Sequence, residues 1–209
     1  MRPARPTLAH LDLADDPDRW ASLGWFVDDG CTRIGSVELR FVEPDDGRTG
    51  LVGWALSGLS ISATELDGVP TTPLDDTPPE PAHPTRHANG AEVIDHVVLR
   101  SPDIDRTLAA LADAGLELRR LREVPDSPLH QAFYRVGETI LEVVGEPGRH
   151  DDAPSTLWGL VCTVADEPRA SEVLGDSLGT WRDAVQPGRR IATVRRSAGL
   201  STAVALMTR

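Results

Sequence analysis

An α+β fold built from repeated βαβββ units, with the helices outside the sheets, is what the sequence predicts, and three observations carry the prediction. The order strand, amphipathic helix, three strands runs from residue 93 to 147. The same order recurs from 156 to 209. In the first quarter of the chain, RIGSVELRFVEP echoes RVGETILEVVGEP of the middle, as expected of a duplicated supersecondary unit.

The elements follow in order. TLAHLDLA reads as a strand, PDRWASLG as a short helix, and GWFVDD, CTRIG and VELRFVEP as strands, giving a degenerate unit within residues 1–68. GRTGLVGWALSGLS is left over and is expected to form an extra hairpin or an edge strand. Residues 69–92 read as a linker, because Pro70, Pro73, Pro78, Pro79, Pro81 and Pro84 forbid a regular helix and remove backbone donors. An irregular, surface-running stretch is expected there.

VIDHVVLR alternates and is β-branched, as a strand requires. Ser101 or Asp103 is placed to cap the helix that follows, in which Ile104, Leu108 and Leu111 recur at helical spacing before a stop at Gly115. LELRRLREV, HQAFYRV and TILEVVGE complete the unit, the last two joined across Gly137 and Glu138 in a tight hairpin. In the last unit TLWGLVCTVA is the strand and DEPRASEVLGDSLG the helix. TWRDAV, RRIATVRR and LSTAVALMT are the remaining strands.

Composition narrows the function. A formal net charge of -12 disfavours nucleic acid and anionic membrane surfaces, which recruit clustered cations. All 21 basic residues are arginine, which excludes Schiff-base lysine chemistry and the phosphate-loop lysine; no nucleotide cofactor is expected. Cys31 and Cys162 are isolated and read as small buried hydrophobes. The stretch MRPARPTLAHLDLADDPDRW holds no apolar core of the kind a secretory signal needs and no run approaches membrane-span length, so a reducing cytoplasm is the expected setting.

IDHVVLRSPDIDR, followed by AGLELRR and ILEVVGEP, resembles the βαβββ module of the vicinal oxygen chelate superfamily, which includes glyoxalases, bleomycin-resistance proteins and extradiol dioxygenases. The match is good over 93–147, fair over 156–209 and weak over 7–60. The resemblance implies cupped half-barrel sheets, with 93–209 forming one glyoxalase-like domain of two modules. It also implies a small-molecule ligand and is compatible with a homodimer. In the family a first-strand His and a fourth-strand Glu point into the cup, positions held here by His96 and Glu142. The resemblance thus implies one divalent Zn, Fe, Mn or Ni ion, provided further ligands converge.

Pairing of the units decides whether they do. If the first and second share a cup, His10, His96 and Glu142 make a two-histidine, one-carboxylate set. If the second pairs with the third, Gly159 falls opposite His96 and Val204 opposite Glu142, and neither binds metal. The short GRHDDAPS connection favours the second pairing.

Glu142 stands out within an apolar strand, where a carboxylate needs a metal, an Arg or a cleft. The competing reading of His96 is a satisfied core histidine, and of His10 a local network. Across the hairpin, Gln131, Phe133 and Arg135 share the face of Glu142, and Thr193, Arg195 and Thr202 are their counterparts in the last unit, all as candidate substrate-binding groups. Three readings remain open: a lyase, isomerase or dioxygenase using Glu142 and His96, a drug-sequestering protein without catalysis, or a structural or partner-binding role for degenerate modules.

Overall fold

The computed structural model describes residues 5–44, 46–75 and 85–209. They form two mixed β-sheets with few helices, an α+β fold with cupped sheets. The first sheet holds β1 (Thr7–Ala14), β2 (Cys31–Ile34), β3 (Val37–Phe41), β4 (Gly50–Ser57), β5 (Glu65–Leu66) and β6 (Val69–Leu74), in the order β2-β3-β1-β4-β6-β5, with α1 (Pro17–Ser22) after β1.

The second sheet contains two full units. One is β7 (Ala91–Arg100), α2 (Ile104–Asp113), β8 (Leu118–Glu123), β9 (His130–Val136) and β10 (Thr139–Gly145). The other is β11 (Thr156–Val164), α3 (Glu167–Leu174), β12 (Arg182–Asp183), β13 (Arg190–Thr193) and β14 (Ala203–Thr208). The strand order is β12-β13-β14-β11-β7-β10-β9-β8. The second and third units therefore pair, through antiparallel β7 and β11.

Local chemistry places these elements: of the two capping candidates before the first long helix, Asp103 is the one used. Asp103 and Asp166 cap α2 and α3, their carboxylates accepting from the Arg106 and Arg169 N–H groups. Gly115, at φ +87°, ends the first of these helices. The hairpin turns at Gly137, pairing Phe133 with Glu142 and Arg135 with Ile140.

The first sheet departs from expectation in two places. The leftover run containing β4 is neither a hairpin nor an edge: it is a central strand, buried throughout and paired with β1 and β6. Residues 24–29 form a loop with one isolated bridge instead of a strand, and pack Trp25 against Trp20 at 4.9 Å between ring centroids.

The linker region is likewise partly structured. Pro70 and Pro73 lie in β6, where Thr71 N–H points away from β4 to Thr64 O. Pro73 shares that direction by the two-residue period, so it costs no ladder bond. At the far end His87 and Asn89 are buried, and Asn89 Nδ2 donates to Leu23 O at 2.9 Å. Pro78, Pro79, Pro81 and Pro84 lie outside the described residues.

The first sheet repeats the centre of the second, register for register. His10 pairs with Ala55 and Asp12 with Gly53 in one sheet; His96 pairs with Val161 and Val98 with Gly159 in the other. Both pairings step over a bulge residue on each strand: Ala9 and Val52 in the first sheet, Asp95 and Trp158 in the second. A bulge re-aims a side chain, so each repeated bulge is a repeated positioning device.

One core joins the sheets. Leu11, Leu13, Trp54 and Leu56 of the first meet Val97, Leu99, Leu141 and Val143 of the second, with Ile104 and Leu111 of α2 and Leu174 of α3. Alternation then sends His96, Glu142 and their neighbours to the other face of the second sheet.

Candidate active site in the second sheet

That other face is a cleft of ≈ 590 Å³, within the range of small-molecule sites. His96 and Glu142 stand at its centre on parallel neighbours β7 and β10, with Nε2 and Oε2 3.7 Å apart and side chains 15% and 13% exposed.

Each is held from behind. Gln131 Nε2 donates to Glu142 Oε1 at 2.5 Å, and Arg122 in turn donates to Gln131 Oε1. On the histidine side, Nδ1 lies 2.9 Å from Asp95 Oδ2, and Arg189 Nη1 donates to Asp95 Oδ1 at 2.8 Å. Burial pushes the Asp95 carboxyl up, but hydrogen bonds from His96 and Arg189, and their charges, outweigh it and hold it below the usual range. Asp95 is thus an anion that fixes Nδ1 as donor and turns Nε2 toward the cleft.

Asp95 escapes sequence reasoning because strict alternation would put it on the face opposite His96. The bulge puts both on one face. Arg189 is a similar case: it lies in the turn before β13, yet reaches across units to Asp95, while its neighbour Arg190 pairs with Glu167.

The remaining candidates divide. Gln131 and Thr193 line the cleft. Phe133 and Arg135 share the face but lie outside the lining, Arg135 being exposed. Arg195 turns away, Nε donating to Leu178 O at 3.1 Å. Thr202 is buried beside Gly50 of the first sheet, because it precedes β14 on the core side.

His10 is on the other sheet, closed into a network: Arg40 Nη1 is 3.3 Å from Nε2, Arg40 Nε donates to Glu38 Oε1 at 2.7 Å, and Arg33 pairs with Glu38. Burial first, then the Arg40 charge, lowers its pKa against the pull of Asp12 and Glu38. The set His10, His96, Glu142 is therefore not assembled, since the units carrying it do not share a sheet.

The cleft's other half is apolar. Equal parallel registers in the two units put Gly159 at the place of His96 and Ala205 at that of Glu142. The residue opposite Glu142 is thus Ala205 and not Val204: aligning glycines slips by one, because the short 3-10 turn Arg196–Ala198 precedes Gly199. Gly159 admits no side chain at all, since a Cβ there would lie 2.4 Å from Ala203 O. Val161, Ala205 and Met207 form a small apolar cluster with Ala184 and Ile191 packed on it.

A metal of the kind the fold resemblance implies would have His96 and Glu142 as ligands and nothing from the facing unit. No group of three or more His, Cys, Asp or Glu able to hold an ion occurs among the described residues, and Gln131 is spent on Glu142 and Arg122. The residues present do not fit the group.

Cupped sheets made of paired βαβββ units define the class of fold. Among solved structures, methylmalonyl-CoA epimerase from Mycobacterium tuberculosis is similar over 57% of this chain and 89% of its own, with 16% identity and a TM-score of 0.45. A variant of Streptomyces coelicolor methylmalonyl-CoA epimerase, in complex with 2-nitronate-propionyl-CoA, is similar over 56% and 94%, with 18% identity and a TM-score of 0.44. A hypothetical protein from Bacillus halodurans is similar over 56% and 93%, with 15% identity and a TM-score of 0.44. No family model and no curated protein matches the chain. No helix among the described residues is long and apolar enough to cross a membrane.

Proposed function

We propose that the chain binds a small molecule in the cleft of the second sheet and moves a proton on it without a metal, in an isomerase- or lyase-type reaction beside a carbonyl. The observation that carries this is the buttressed line Arg122, Gln131, Glu142, His96, Asp95, Arg189, of which Gln131, Glu142 and His96 line the cleft. A carboxylate and an imidazole 3.7 Å apart, each oriented by a partner of its own, make a base and an acid that need no reorganisation. Glu142 would take the proton from carbon as the carboxylate, and His96 would act as the imidazolium, keeping Nδ1–H on Asp95 and giving its Nε2 proton to the developing enolate oxygen.

The test is deuterium exchange at the enolisable carbon of a series of 2-substituted thioesters and 1,3-diketones, followed by NMR in D2O. Exchange by the wild type that falls by about 100-fold or more in Glu142→Gln, with folding stability nearly unchanged, supports the reading. A second reading, ligand sequestration without chemistry, is favoured by the apolar cluster around Val161 and by Trp158, 51% exposed at the cleft. Binding in the wild type with no exchange on any compound would leave that reading standing alone.

A further inference from the structure

The cleft carries two arginines whose side chains are not engaged by any described residue. Arg100 and Arg182 line it, both exposed, and neither guanidinium has an ion pair or hydrogen bond among the described residues. By contrast Arg106, Arg122, Arg189 and Arg190 are each committed to a carboxylate, an amide or a carbonyl. Strand register sets the two free cations at opposite ends: Arg100 pairs with Thr156 at one end of β7, and Arg182 with Ile191 at the far edge, level with Met207. His96 and Glu142 lie between.

The Arg100 end has a second unclaimed group. Trp158 is the bulge residue on β11, stepped over between Leu157, which pairs with Leu99, and Gly159, which pairs with Val98. It therefore stands within two residues of Arg100 along the pairing, with Val144 on the other side of that arginine. Its ring is exposed and makes no aromatic contact among the described residues. An unpaired guanidinium beside a bare indole is a site for a flat or apolar group ending in an anion, because the guanidinium forks onto a carboxylate while the ring covers the body.

Charge sharpens the assignment. The molecule carries a formal net charge of -12, so its general field repels anions. The cleft lining nevertheless holds two free cations against one carboxylate, Glu142. We infer that the ligand class of this cleft is a small organic acid, its carboxylate on Arg100, its body along Trp158 toward the Val161 and Ala205 wall, and its reactive carbon over Glu142 and His96. This rests on the reading of the cleft as the functional site and adds which chemistry it selects.

A matched set of probes tests it: 3-phenylpropionate, 3-phenylpropionamide and 3-phenylpropylamine share a body and differ in charge. Binding is read as quenching of Trp158 fluorescence, isolated by comparison with Trp158→Phe. The acid should bind about ten-fold or more tighter than the amide, with the amine weakest, and Arg100→Gln should bring acid and amide together. Added salt should weaken the acid alone. An amide or amine that binds as well as the acid, or an Arg100→Gln that leaves the preference intact, overturns the ligand class while leaving the cleft as the site. Silence of Trp158 toward all three probes overturns both.

Discussion

Asp67 ties the two sheets together, and its replacement by alanine tests that joint. It occupies the turn between β5 and β6 at φ +51°, with a side chain only 5% exposed. Its carboxylate accepts from Arg106 Nε at 2.5 Å, from Ser155 Oγ at 2.6 Å and from the Thr107 hydroxyl, all carried by the second sheet's units. The loss is smaller than for a fully orphaned buried pair, because Arg106 is 35% exposed and keeps the Asp151 and Ala153 carbonyls. Thr107 also keeps Asp103 O. Loss of a charge-assisted hydrogen bond costs roughly 1.5–3 kcal/mol, and alanine in the left-handed region about 1 kcal/mol more than aspartate. Asp67→Ala should therefore lower stability by about 3 kcal/mol. Asp67→Asn, which tolerates the backbone and keeps one acceptor, should lose about half as much. Urea denaturation followed by circular dichroism measures both, and the shared core calls for a single transition. An Asp67→Ala within about 0.5 kcal/mol of wild type would refute the joint as described.

Two further outcomes follow from the cleft. Asp95 has its carboxyl pKa lowered in the folded state, so its contribution is present above the unfolded value of about 3.9 and is lost as pH falls through the folded value. The stability difference between wild type and Asp95→Asn should be level above about pH 5 and shrink below about pH 4; a difference independent of pH across that window contradicts the ion network. Gly159→Ala places a Cβ 2.4 Å from Ala203 O, against backbone that cannot rotate away, and should cost roughly 1–3 kcal/mol or more by denaturant midpoint. A neutral substitution there would mean that the β11 and β14 registers are wrong.

Much of the architecture was legible because it rests on local signals. The helix stop at Gly115, the Gly137 hairpin and the repeated element order each depend on a few neighbouring residues. Glu142 was legible too, since a carboxylate inside LEVV demands a partner, and the structure supplies Gln131 and His96. The short connection between the second and third units only favoured their pairing, with the other pairing left open, and the strand order shows that they do pair.

What only the tertiary structure decided lies where the two-residue period fails or where distant segments meet. The bulge at Asp95 moves a carboxylate onto the face of His96, against the alternation by which a strand is read. A one-residue slip after Gly199 replaces Val204 by Ala205 opposite Glu142, because the turn before β14 is wound as 3-10 helix and not as a hairpin. β4 is central and not an edge because its neighbours β1 and β6 come from either side of it in the chain, and no local pattern records that. His10 carries the register of His96 without its role, since Arg40 stands where Glu142 would and Ala9 where Asp95 would. Sequence order by itself determined which units exist; the strand pairings, set by long-range burial, decided which of their polar groups share a cleft.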